Sequence, residues 1–196
     1  MNKDYWVWMY DTNEDTAIVT HDPEGFSSMS WKLCKGVSCK DWFPENLVLE
    51  LNPQRGKIIT DAIHNIVGLH IVNEKLKSIL ETSNAEWEFF PVMIKNHKGK
   101  IMKEPYYIAN LLGKIFCVDR EKSICEEDSF KEGQLDLYDK LVLDQSKIPE
   151  SVDFFRLGET PRVVIASDSI TDKIKITEGC TGPYYCHYED WDGFGV

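Results

Sequence analysis

The sequence predicts an α+β fold with a mainly antiparallel β-sheet and two or three helices. Two observations predict it. About ten segments carry strand signals, while only two or three carry helical periodicity. Their order does not alternate strand with helix, as a parallel βαβ sheet would require. The chain has 196 residues, 42% hydrophobic and 12% aromatic, so it can bury a core without disulfides or a metal. We expect one domain, with a β-rich N-terminal portion over residues 1–60 joined to an α+β portion over 61–196.

Tyr5-Trp6-Val7-Trp8-Met9-Tyr10 is aromatic and β-branched and reads as a strand. The turn-rich Asp11–Asp15 follows, then a second strand over Thr16–Thr20, so the two suggest a hairpin. His21–Gly25 ends that pair, and residues 26–46 read as irregular. Leu47–Leu51 is the next strand. Asp61–Val67 reads as a short helix. A clearer helix starts after Asn73, a good N-cap, with Glu74 placed where the macrodipole favours an anion. Val72, Leu76 and Leu80 recur at four-residue spacing, with Ile79 beside them, so the helix should run from about Glu74 to Thr82.

Glu86–Ile94 reads as a strand in which Pro91 demands an edge or a bulge. Pro105–Leu112 and Ile115–Asp119 are further strands, and residues 120–134 read as a polar, acidic connection. Tyr138–Leu143, Val152–Leu157 and Arg162–Ala166 follow as strands. Ser167 caps a second helix in which Ile170 and Ile174 share a face and which Gly179 stops. Pro183–Tyr188 closes the chain as a terminal strand.

Lys and Arg number 22 against 33 Asp and Glu, giving a formal charge of −11. Phosphate backbones and anionic lipid repel such a surface, so we expect neither nucleic-acid nor membrane binding. No stretch approaches the roughly 20 apolar residues of a membrane span, and the first residues lack a signal peptide's apolar core. The expectation is a cytoplasmic protein. There the six cysteines stay reduced, and their spacings match no zinc knuckle. Cys186 and His187 are adjacent, so on a strand they face opposite ways and make a poor nucleophile–base pair. H-E-x-x-H, P-loop and G-x-S-x-G patterns are all missing. These absences weaken the case for an enzyme without abolishing it; the expectation is no catalytic residues, no metal and no cofactor.

The order of several landmarks carries more than any one of them. A hydrophobic helix opens at Ile71-Val72-Asn73-Glu74-Lys75-Leu76 and leads to Phe90-Pro91-Val92. Tyr106-Tyr107-Ile108-Ala109-Asn110 follows, then Asp119 with Ser123, then Phe154-Phe155-Arg156-Leu157, and finally Gly179-Cys180-Thr181-Gly182 with Tyr184-Tyr185. This succession resembles a family of bacterial immunity proteins from polymorphic-toxin systems, over about residues 60–186. Asn73 stands where the family commonly has Ser, and Tyr185 where it closes on Phe. The resemblance implies a protein that binds and neutralises a cognate toxin, and it brings no catalytic residues with it. Read structurally, Phe90, Val92, Tyr107, Phe155 and Leu157 belong to the core, and Asn110, Asp119 and Ser123 tie loops to the backbone.

A protein that blocks a toxin needs roughly 800 Å² of contact surface, with aromatic anchors and charge complementarity. Tyr184, Tyr185, Tyr188, Glu189, Asp190, Trp191 and Asp192 are the best candidates, because no Lys or Arg follows Lys175. Their carboxylates would suit the basic cleft of a nuclease-like toxin. The opposing reading packs those aromatics inward. Glu126-Glu127-Asp128 is a second acidic candidate. Two other functions stay open: a small hydrolase or transferase with an unfamiliar site, and an interaction module for a partner other than a toxin. The sequence leaves the oligomeric state open.

Overall fold

A computed structural model describes residues 3–23, 26 and 30–195. Strands β1 (Tyr5–Tyr10), β8 (Lys114–Ile115), β11 (Phe154–Leu157), β12 (Val164–Ser167) and β13 (Pro183–His187) form a five-stranded sheet. Its order is β13-β1-β12-β11-β8. Strands β2 (Ile18–Val19), β3 (Val48–Glu50), β4 (Ala62–Asn65), β5 (Ile71–Asn73), β6 (Trp87–Lys95) and β7 (Tyr106–Leu111) form a six-stranded sheet ordered β2-β4-β5-β7-β6-β3. Strands β9 (Ile124–Glu127) and β10 (Leu135–Lys140) pair as a separate hairpin. Among the described residues, the α-helices α1 (Glu74–Leu80) and α2 (Asp168–Ile176) complete the α+β fold. None of the described helices is long and apolar enough to cross a membrane.

The pairing is mainly antiparallel, but the sheets are mixed. The pairs β2–β4, β3–β6 and β8–β11 run parallel. The six-stranded sheet also meets itself. Val19 at the end of β2 bridges to Leu51, just beyond β3, and the Asn52 N–H donates to the Ile18 carbonyl. These bonds join the two edge strands, so the sheet curls into a small barrel, which removes free edges.

Strand alternation then sorts the side chains into three cores. Inward residues of the barrel, including Ile71, Phe90, Val92, Ile94, Tyr106 and Ile108, fill its interior. Their neighbours Val72, Phe89, Tyr107 and Ala109 point outward, towards the helices. There they meet Trp8, Phe154, Val164, Ala166 and Tyr185 from one face of the five-stranded sheet. Leu76, Leu80, Ile170 and Ile174 seal this middle layer from α1 and α2, each burial contributing about 2 kcal/mol. Tyr5, Val7, Phe155, Leu157 and Ile165, on the other face of that sheet, pack under β10 and the C-terminal turn.

Two buried charged groups fasten these layers. The Arg156 side chain, 1% exposed, donates from Nε to the Leu111 carbonyl, from Nη1 to Pro161 and from Nη2 to Leu33, at 2.9, 2.9 and 2.7 Å. It thereby ties the barrel, a turn of the five-stranded sheet and the 3-10 turn at Trp31–Cys34. Asp61 accepts from the Thr181 N–H at 2.7 Å, the Thr181 hydroxyl and Asn73. Burial alone would raise the pKa of Asp61, but these bonds and Lys75 hold it below the ordinary carboxylate range.

Most elements stand where the sequence places them. Asn73 caps α1 by accepting from the Leu76 N–H. Pro91 sits at an open position because β3 reaches β6 only from Met93 onward. Three expectations need correction. Asp61–Val67 holds strand β4 rather than a helix, because its backbone bonds are taken by β5 and β2. The polar stretch 120–134 contains β9, an exposed strand held by β10 rather than by apolar alternation. The hairpin suggested for the first two strands does not form: β1 joins the five-stranded sheet and β2 the barrel. Of the turn and irregular stretch around residues 21–46, residues 24, 25 and 27–29 lie outside those described.

Candidate partner-binding surface

The seven C-terminal candidates divide by burial. Tyr185, Tyr188 and Trp191 belong to the cores and are 8%, 6% and 1% exposed. The register with β1 explains Tyr185, which lies opposite Trp8 and faces the helices. The Trp191 ring packs 5.5 Å from that of Tyr138, and its Nε1–H donates to the Phe194 carbonyl at 2.7 Å. These three rings anchor the C-terminal segment to the protein and are not presented to a partner. Tyr184, Glu189, Asp190 and Asp192 are exposed.

The exposed four gain neighbours that no local pattern signals. Asp4, just before β1, places a carboxylate oxygen 2.9 Å from the His187 Nε2. The β1–β13 register, with Trp6 opposite His187, brings it there from the far end of the sequence. Phe194 is 69% exposed and follows the Trp191 anchor. Gly195 returns to β1, where a Cβ on it would meet the Met9 Cε. The result is an acidic rim with two exposed aromatic rings, Tyr184 and Phe194. Burial raises the Cys186 pKa, and Asp190 and Asp192 raise it further. Those carboxylates therefore suppress the thiolate that a nucleophilic cysteine would need.

The landmark residues have structural duties. Asn110 donates to the Val37 carbonyl and to Glu88 at 2.9 and 3.0 Å. Glu88, buried at one end of the barrel, also accepts from the Ser38 hydroxyl and the Cys39 N–H. Asp119 accepts from the N–H groups of Glu121 and Lys122, and Ser123 exchanges bonds with the backbone of Val142. These are the loop ties expected of such residues. Phe90, Val92, Phe155 and Leu157 are buried, whereas Tyr107 is only half-buried and donates to Glu74 at 2.6 Å. Its outward register on β7 accounts for that difference. Arg156, the most buried charge of the set, was visible only as part of a motif. Its three carbonyl partners lie in segments that the fold alone brings together.

An open hollow of about 580 Å³ lies at the barrel seam, beside His21, Asp22, Glu45 and Glu50. All four side chains are exposed, and Glu50 is held by Lys95 at 2.7 Å. The histidine with a large shift is elsewhere: burial, and then Arg156, push His70 down to about 3. It is half-buried and packs against Tyr10 and Trp8.

No curated protein matches the sequence. A family model, described as an immunity protein family (Imm11), matches residues 3–190. The match takes in the first 60 residues, which the landmark reading left unmatched, and β1, β2 and β3 there supply strands to both sheets. With nearly its whole length covered, the chain belongs to the Imm11 immunity protein family.

Proposed function

We propose that this protein binds a cognate toxin in the cytoplasm and neutralises it by occlusion, without catalysis. The toxin belongs to a polymorphic-toxin system of the same cell, and its blocked cleft is basic. The observation that carries this reading is the exposed acidic rim of Tyr184, Glu189, Asp190 and Asp192, extended by Asp4 and Phe194. Membership of an immunity family supports the toxin as partner. The net charge of −11 supports fast capture of a basic surface. The rim is anchored by buried Trp191 and Tyr188, so its charges are held in place rather than frayed.

The test is co-expression and binding with the toxin domain encoded beside this gene. Asp190→Lys combined with Asp192→Lys should weaken binding at least tenfold and reduce rescue of growth, because both positions are exposed and their reversal leaves the cores intact. Unchanged affinity would remove the rim from the interface. Failure of the unaltered protein to bind or rescue would refute the toxin reading itself.

A further inference from the structure

A second surface lies at the opposite edge of the five-stranded sheet, four strand spacings or about 19 Å from β13. It forms where three segments meet. The Gly113 N–H donates to the Gly36 carbonyl at 2.9 Å, which seats Lys35 beside β8. The loop of the β9–β10 hairpin closes the third side, and Lys35, Lys131 and Arg162 line a small hollow of about 100 Å³ between them.

Four cations meet here, Lys35, Lys114, Lys131 and Arg162, against three carboxylates, Asp128 and Asp136 on the hollow and Glu132 on the hairpin loop, so the surface is a basic island only by a small local excess. Lys131 and Arg162 are paired, at 3.6 Å with Asp128 and 3.4 Å with Asp136. Lys35 and Lys114 make no ion pair among the described residues. Half-buried Lys35 has a lowered pKa, first from burial and then from Lys131, with Lys114 adding to it and Cys34 and Asp128 opposing. Neither ammonium is engaged in a direct ion pair, so both can take an incoming carboxylate. Apolar surface stands beside them. Phe130, at the hairpin tip, is 94% exposed, and Phe116, under the Lys114 ammonium, is 55% exposed. Exposed rings beside unpaired charge are the composition of a binding surface rather than of a solvated loop.

The two surfaces flank one element. At its start, β10 touches the basic island through Leu135 and Asp136. Further along, Tyr138 packs on Trp191, and its backbone meets Gly193. An interface of 800 Å² is roughly 30 Å across, wide enough to cover both. We infer that the β8 edge and the tip of the β9–β10 hairpin form a second docking surface for the same partner, which takes an acidic segment carrying an apolar side chain. This rests on the toxin reading above. The partner then meets a face of two signs, a basic cleft on the rim and an acidic segment on the island. Such a pattern fixes orientation and rejects partners with a single sign of charge.

The experiment measures binding of the catalytically inactivated toxin domain encoded beside this gene to four purified full-length forms. These are the unaltered protein, Lys35→Glu with Lys114→Glu, Phe130→Ser alone, and the Asp190/Asp192 reversal. Thermal melts of each report folding. The lysine reversal should weaken binding tenfold or more, and Phe130→Ser at least threefold. Phe130 has no packing role at 94% exposure, so that variant remains informative if the lysine pair fails to fold. Binding that survives both changes while the unaltered protein binds would overturn this inference and leave the toxin reading standing. No binding by the unaltered protein would overturn both.

Discussion

Lowering the pH from 7.5 to 5.0 should cost this protein about 2 kcal/mol through one histidine. His70 is half-buried; its Nδ1 is 2.8 Å from the Tyr10 hydroxyl, and the ring lies 5.0 Å from that of Trp8. Burial and the nearby Arg156 guanidinium hold its pKa at about 3, against 6.5 for the free side chain. A histidine whose folded pKa is depressed stabilises fully above the unfolded value and loses that contribution as pH falls. Below pH 6.5 the unfolded chain takes up a proton that the folded chain refuses. The penalty grows by about 1.4 kcal/mol per pH unit until about pH 3, for a total near 5 kcal/mol. The buried carboxylates Asp61, Glu88 and Asp153 are held below their ordinary range by hydrogen bonds, and His64, which burial also lowers, adds in the same direction as His70. With a urea m-value of about 2 kcal/mol/M, the unfolding midpoint should drop by roughly 1 M. His70→Gln keeps a polar partner for Tyr10 and removes the titration. Urea unfolding of both forms at the two pH values isolates the effect, since every other group is common to both. The same pH dependence in His70→Gln would refute the argument.

Two further substitutions test the fastenings of the layers. Arg156→Met leaves the carbonyls of Leu33, Leu111 and Pro161 without their donors. It should lower stability by about 3 kcal/mol or more in urea unfolding; a loss under about 1 kcal/mol would show that the joint is dispensable. Gly182→Ala should cost at least about 2 kcal/mol. Gly182 has φ +98, and a Cβ there would stand 2.2 Å from the Ala62 carbonyl oxygen. Thermal melts check it, and an unchanged melting temperature would mean that the β4–β13 approach is loose.

Local chemistry alone determines a good part of this protein. Asn73 and Ser167 each precede an acidic residue and a four-spaced apolar face that form a helix, but Asn73 caps with its side chain whereas the Ser167 hydroxyl is taken by Asp153 and Ser169. Alternation in Tyr5–Tyr10 and in Trp87–Lys95 determines which side chains share a face. The landmark order was enough to suggest the family that the model match establishes. The β9 strand was not legible, because an exposed polar strand has no apolar period and is held only by its partner. The closure of the barrel was not legible either, since Val19 and Leu51 meet across more than thirty intervening residues.

The C-terminal segment shows the division most plainly. Its run of aromatics and carboxylates is local, and it marks the segment as a candidate surface without saying which rings face outward. Burial follows from strand register, and register depends on pairing with β1, near the other end of the chain. That pairing sends Tyr185 inward and leaves Tyr184 outside, and the packing of the turn beyond it buries Tyr188 and Trp191. Residue type and spacing act over a few residues, and the sequence by itself determined what depends on them. Which charges stand together depends on contacts between distant segments, so only the tertiary structure decided the acidic rim, the basic island and the Arg156 joint.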